Sequence, residues 1–372
     1  MTQPFTPFEL EYYQSLFERT VEYNLADSSV KCVTTREWLS EDEIEALLDT
    51  GLFYPEVNGT HELRERIAAL YPGATPEHIL VTVGAAQANS MVCGALLAPG
   101  DEVLLLSPGY RQVWGLAKNA GCTVTDLPLH AERGWRIDPD ELDRLVTPRT
   151  KLVALVNPNN PTGSVMTRDE MARVVAACAR VGAWLHADEV YCGTERAGLP
   201  ETPSFWGMYD RLICTNSLSK AYGLAGLRIG WAVAPPAMVE QLWRRHEYAV
   251  IAAAAPSMTL AAIALAPAKR RALLERQRAI SGAGRAVLER WLPTQSVFAV
   301  QPAEATSIAF VRYDLPIGSV ALAEHIREQA SVLLAPGAYL GAEGHLRITI
   351  GYEPEKIAAA LDRVGAAVRA LG

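Results

Sequence analysis

The sequence predicts an α/β protein with a mainly parallel central sheet in a large domain and a smaller α+β domain after it. Three observations carry this reading. From Ile79 onward, the β-rich runs HILVTVG, DEVLLLSP, CTVTDLPL, KLVALVN and AWLHADEVY are separated by helical stretches, the signature of βαβ units. Residues 236–290 then read as helix, including AAAAPSMTLAAIALA and AKRRALLERQRAISGAGRAVLERWL, a passage suited to joining two domains. The chain closes on a mixture of strand-like FAVQPAEATSIAFVRY and LRITIGY with the helix EPEKIAAALDRVGAAVRAL. A length of 372 residues fits one large and one smaller domain, drawn at 46–270 and 271–372, with 1–45 as an N-terminal arm and part of the small domain.

Composition narrows the function classes. With 49% hydrophobic residues the chain buries a core easily, yet its apolar runs are broken well short of a membrane span. MTQPFTPFELEYY lacks the basic-then-apolar order of a signal peptide, so a soluble cytoplasmic protein is expected. A formal charge of −8 argues against a nucleic-acid surface, and the basic pairs Arg244-Arg245 and Lys269-Arg270 read as solvated helix faces. Six cysteines are scattered without a CxxC pair, which points to reduced, structural thiols and no metal site.

Taken in order, PFELEYYQSLFERT reads as a helix, followed by an exposed turn in NLADSSV. Two roles stand for this beginning: a lid over the active site and an arm packed on a neighbouring subunit. Ser40 and Glu43 form a capping box for the next helix, and the loop GLFYPEVNGT precedes the helix HELRERIAALY. Gly84-Ala85-Ala86-Gln87 sits where the first strand turns into a helix, whose free N–H groups and positive dipole end make an anion site. In NPNNPTG, Asn157 to Gly163, tandem Asn-Pro pairs fix a tight loop at the end of a buried strand, where open parallel sheets bind ligands. Asn160-Pro161 is a candidate cis bond. His186 shares a strand face with Asp188 and reads as a buried structural histidine, or a support for Asp188.

The stretch SLSKAYGLAGLRIGW, Ser217 to Trp231, organises the rest. Lys220 lies on a turn between two strands, where a partly dry, cationic pocket would lower its pKa and let the amine attack a carbonyl. Ser217, Ser219 and Arg228 supply phosphate donors, and a lysine beside a phosphate cradle suggests pyridoxal 5′-phosphate (PLP). Asp188, at the end of its strand, can pair with the pyridine nitrogen and keep it protonated, and Tyr191 is placed to bond the phenolate oxygen. Each feature has a plainer reading: a solvated lysine, a loop of turn formers, a core tyrosine at 110.

Together these motifs resemble the class I/II aminotransferases, the fold type I PLP-dependent transferases, in family order from Tyr54 to Arg347. The resemblance implies that Asn160 donates to the phenolate oxygen, that Tyr110 stacks on the pyridine, and that Tyr54 reaches the phosphate in the partner subunit of a homodimer with shared sites. It also implies that Arg347, in RITIG, binds the α-carboxylate of an amino-acid substrate, with Asn160 beside it. An arginine fork suits that role. The segment ADSSVKC departs from the family pattern and looks closer to a capreomycidine synthase-like biosynthetic subset. The family resemblance makes transamination the expected outcome, and this departure makes elimination, replacement or cyclisation the rival. A PLP-binding regulator or pseudo-enzyme is a further alternative, opposed by the absence of a basic DNA-binding extension. Trp114, Trp206 and Glu304 are candidates for the substrate pocket.

Overall fold

The computed structural model describes residues 5–371. Its large sheet runs in the order Ile79–Thr82, Gly230–Val233, Leu212–Ser217, Trp184–Asp188, Thr150–Val156, Glu102–Ser107, Thr123–His130 and Arg136–Ile137. Pairing is parallel from Leu212–Ser217 across to Thr123–His130 and antiparallel at both margins. Side chains alternate between two cores, as the pleat requires. Leu104, Leu106, Val153, Leu155 and Leu185 join Met171, Val174 and Cys178 of the helix Arg168–Val181 on one face. Val103, Leu105, Leu152, Ala154 and Ile213 meet Ala88 and Val92 of the helix Gly84–Leu96 and Leu242 of the helix Pro236–Ala249 on the other. Burial on both faces explains why these strands read as unbroken apolar runs. Each fully buried leucine contributes about 1.5–3 kcal/mol.

A second, antiparallel sheet has the order Phe298–Val300, Ile308–Tyr313, His345–Thr349 and Ala335–Pro336. It packs on Leu322 and Ile326 of the helix Ser319–Ala330 and on Ile357, Leu361 and Val364 of the helix Pro354–Arg369. The α/β class with a smaller α+β part is therefore the observed architecture. The helix Pro267–Trp291 runs unbroken past residue 270, placing Leu273 and Leu274 in the larger core and Val287, Leu288 and Trp291 in the smaller. N-terminal residues 25–31 lie along the small sheet: Thr349 N–H donates to the Leu25 carbonyl at 2.8 Å, and Lys31 N–H to the Gly351 carbonyl at 2.7 Å.

The capping box forms as expected, with Glu43 accepting from Ser40 N–H at 2.7 Å. The same carboxylate corrects one expectation. Lys269 is not a solvated charge but donates to Glu43 at 2.7 Å and to the Trp38 carbonyl at 2.6 Å, while Arg270 pairs with Glu201 and reaches the Tyr222 hydroxyl at 3.2 Å. Arg244 does lie on a solvated face, paired with Glu240 one helical turn away, whereas Arg245 reaches across to the Gly94 carbonyl. Among the described residues, no helix is long and apolar enough to cross a membrane, and no group of His, Cys, Asp or Glu side chains is arranged to hold a metal ion.

Candidate active site

The parallel strands Glu102–Ser107, Thr150–Val156, Trp184–Asp188 and Leu212–Ser217 end at one edge of the sheet, and the loops beyond them surround a cavity of about 320 Å³. This is where a parallel sheet gathers functional groups from segments distant in sequence. Tyr110, Asn160, Asp188, Tyr191 and Lys220 line the cavity, as do Ala85, Ala86, Ser217, Ser219 and Arg228.

At one end the sheet and the helix Gly84–Leu96 approach so closely that a Cβ on Gly230 would stand 2.4 Å from the Ala85 nitrogen. Gly84 (φ +76°) opens that helix, and a Cβ there would lie 2.4 Å from Arg228 Nη2. The side-chain-free turn thus lets a guanidinium, two serines and the partnerless N–H groups of a helix N-terminus face one space. Arg228 has a left-handed backbone (φ 53°, ψ 39°), and one of its nitrogens donates to the Ala225 carbonyl at 3.1 Å. Gln87 does not join this cradle. Its side-chain oxygen accepts from Val83 N–H at 2.6 Å, where it closes the first helical turn.

Asp188 is 5% exposed. Burial pushes its carboxyl up to about 6, against the opposing pull of Asn89, Val190 N–H and the Lys220 charge. Asn89 donates to Asp188 Oδ2 at 2.9 Å and accepts from the Thr215 hydroxyl at 2.8 Å, and that hydroxyl is 3.1 Å from His186 Nε2. With the Thr215 proton committed to Asn89, His186 donates through Nε2–H. Burial drives its pKa down to about 4, so it stays neutral, as a structural histidine supporting Asp188 from behind. A cationic ring nitrogen placed against Asp188 would restore its ionised form.

In NPNNPTG only one asparagine serves the cavity. Asn157 accepts from Met166 N–H at 2.9 Å, and Asn159 donates to the Pro108 carbonyl at 3.2 Å and to Thr162 Oγ1 at 2.9 Å, so both hold the loop. Asn160 lines the cavity, and its peptide bond to Pro161 is cis. Asn160 Oδ1 accepts from Arg347 Nη1 at 3.1 Å, while Arg347 Nη2 donates to the Ala26 carbonyl at 2.6 Å. Arg347, on the central strand His345–Thr349 of the small sheet, is 1% exposed, and no carboxylate pairs with it among the described residues. Its Nε has no partner.

Lys220 Nζ donates to Ser28 Oγ at 2.9 Å and to Ser29 Oγ at 3.4 Å. Tyr191 is 1% exposed, and its hydroxyl is without a partner. At the mouth, the Tyr110 hydroxyl donates to Glu11 at 2.9 Å and its ring meets Phe8 edge-on at 5.0 Å, so the helix Glu9–Phe17 borders the entrance. Tyr54 is 79% exposed and lies outside the cavity, beside exposed Leu52 and Phe53. Trp206 and Glu304 also lie elsewhere: Trp206 packs edge-on against His78, and Glu304 pairs with Arg136 at 2.9 Å. Trp114 lines a separate space of about 30 Å³ behind Asp188 and His186. Sequence reasoning passed over Asn89, Thr215 and Glu11, and it read Ser28 and Ser29 as part of an exposed turn, which the structure corrects: both are buried against Lys220. Of the three passed over, Asn89 left a signal, as one of two carboxamides, with Gln87, in a helix of mostly small and apolar residues.

A model of the family described as aminotransferase class I and II matches residues 23–364. The chain belongs to that family. It is 29% identical over 336 residues to the aspartate/prephenate aminotransferase of Thermus thermophilus, covering 88% of this chain and 86% of that protein. It is 35% identical over 205 residues to the arginine–pyruvate transaminase AruH of Pseudomonas aeruginosa, a match spanning about half of each protein (54% and 52%). A PLP-dependent aminotransferase from Streptococcus suis superposes with a TM-score of 0.92 at 31% identity, over 100% of this chain and 99% of that one. This is an enzyme of the PLP-dependent aminotransferase type, and the site fits its cofactor. Gly84 leaves room for the Arg228 guanidinium at the helix N-terminus, and Arg228, Asp188 and Tyr191, whose hydroxyl is orphaned, border one cavity.

Proposed function

We propose that this aminotransferase moves the amino group of an amino acid onto a keto acid, with Lys220 as the proton-transferring amine and Arg347 as the anchor for the substrate carboxylate. The buried guanidinium of Arg347 carries the reading. A charge sealed from water without a counter-ion is costly, and an incoming carboxylate supplies that counter-ion. PLP, when bound, draws electrons from the substrate's α-carbon bonds through its ring. Asp188 would hold the ring nitrogen, Tyr191 and Asn160 the phenolic oxygen, and Tyr110 the ring face. Ser217, Ser219, Arg228 and the helix N-terminus at Gly84 to Ala86 would hold the phosphate. Lys220, whose side chain lines the cavity, then takes the substrate's α-proton.

The outcome is tested by supplying a reactive amino acid with no keto acid and following the cofactor spectrum and the product. Amino transfer is expected to convert the cofactor stoichiometrically to pyridoxamine phosphate and stop after one turnover, until a keto acid is added. Sustained turnover with the starting spectrum retained would assign the chain instead to elimination or cyclisation, the chemistry of the capreomycidine synthase-like subset.

The working unit in this reading is a cytoplasmic homodimer, in keeping with six cysteines that form no disulfide and with the exposed stretch Leu52, Phe53 and Tyr54, suited to cover by a second copy. Tyr54 reaches the partner's phosphate, and the helix Pro267–Trp291 joins the large domain of residues 46–270 to the small one. Mixing Tyr54→Phe and Lys220→Ala subunits should form hybrid dimers with one undamaged site, so activity is expected to exceed that of either variant. A monomer in sedimentation, or no recovery after proven subunit exchange, would count against shared sites.

A further inference from the structure

The Lys220 amine faces a pair of hydroxyls. Ser28 and Ser29 are 8% and 7% exposed, and Ser28 borders the cavity. Their segment is pinned on several sides: Arg347 donates to the Ala26 carbonyl at 2.6 Å, the Ser307 hydroxyl to the Ser28 carbonyl at 3.1 Å, and Arg276 to the Lys31 carbonyl at 2.8 Å. Asp27 sits one residue back with both oxygens engaged. Oδ1 accepts from Ser28 N–H at 2.6 Å and Ser29 N–H at 3.0 Å, and Oδ2 from the Tyr352 hydroxyl at 2.9 Å. Among the described residues no ion pair joins Asp27 to Lys220. The carboxylate therefore acts on the amine through space. Burial raises Asp27, but the Lys220 charge, Tyr352 and Ser29 outweigh it and hold the carboxyl below its usual range.

The arrangement suits a proton carrier. An amine that takes a proton from the substrate's α-carbon starts neutral and ends as an ammonium, so a fixed partner must satisfy both forms. A carboxylate accepts only and would hold the amine charged, whereas a hydroxyl accepts from an ammonium and donates to a neutral amine. We propose that Ser28, steadied by Asp27, is a positioning residue that holds the free Lys220 amine in both protonation states. This rests on the amino-transfer reading, in which Lys220 is released from the cofactor during each turnover.

The test uses the full-length enzyme as wild type, Ser28→Ala and Ser28→Thr. Two quantities are measured: the kinetic isotope effect with an α-deuterated amino donor, and the rate at which cofactor-depleted protein captures added PLP covalently, read by absorbance and borohydride trapping. Ser28→Ala is expected to lower kcat about tenfold to a hundredfold, the range for one hydrogen bond to a charged group, with KM little changed. The isotope effect should rise and covalent capture should slow while PLP affinity stays at the wild-type value, and Ser28→Thr should restore both. A wild-type isotope effect and capture rate in Ser28→Ala would overturn the proposal. Outright loss of PLP affinity in Ser28→Ala would also overturn it, since the hydroxyl would then serve only to hold the fold. Failure of the amino-transfer reading would show separately, as a wild-type enzyme that turns over an amino donor continuously with no keto acid present, or that removes deuterium from no amino donor.

Discussion

Lys220→Ala is expected to bind PLP through Arg228, Ser217, Ser219 and the helix N-terminus, to fix none of it covalently, and to lose turnover. Those groups line the same cavity as Lys220 but are other side chains and backbone N–H groups, so affinity and covalent attachment separate. Loss of the proton-transferring amine alone costs on the order of 10²- to 10⁴-fold. Borohydride reduction of the wild type followed by peptide mapping should place the adduct on Lys220, and the variant should release its cofactor on denaturation after the same treatment. An adduct on any other lysine would remove Lys220 from the centre of the site.

Asp188→Asn is expected to keep the cofactor and its covalent attachment yet lose about 3 to 4 kcal/mol of transition-state stabilisation, the scale of a preorganised electrostatic contact. In the wild type both carboxylate oxygens accept, Oδ2 from Asn89 and Oδ1 from Val190 N–H at 3.2 Å. An amide can accept on one side only, so it opposes one of those donors and brings no negative charge to the ring nitrogen. Steady-state kcat together with cofactor content by absorbance distinguishes this from loss of binding. A near-normal kcat would take Asp188 out of the reaction.

Much of this site is legible in the sequence because strand ends are. Once KLVALVN and AWLHADEVY read as parallel strands, Asn160 and Asp188 fall at the same edge of the sheet, and Lys220 follows the next strand over. What periodicity cannot report is the chemistry on the opposite side of a contact. Ser28 and Lys220 lie 192 residues apart, and ADSSVKC shows a turn composition with nothing to say which amine it meets. Lys269 and Arg270 fail as solvated charges for the same reason, since their carboxylate partners arrive from Glu43 and Glu201. Gln87 and Asn89 differ by two positions on one helix, so one turns back to the helix start and the other reaches Asp188. Only the rotation of the helix over the sheet decides which.

The backbone of Arg228 has a consequence for how far this protein can be made heat-resistant. A left-handed conformation costs a residue with a side chain about 1–2 kcal/mol, whereas glycine adopts it freely. Glycine here would fold more firmly and leave the space above Gly84 without its cation. With Arg228 holding phosphate as proposed, selection for thermal endurance and selection for cofactor retention would pull in opposite directions at this residue, and retaining arginine would mean accepting a less stable turn in exchange for a tighter grip on phosphate.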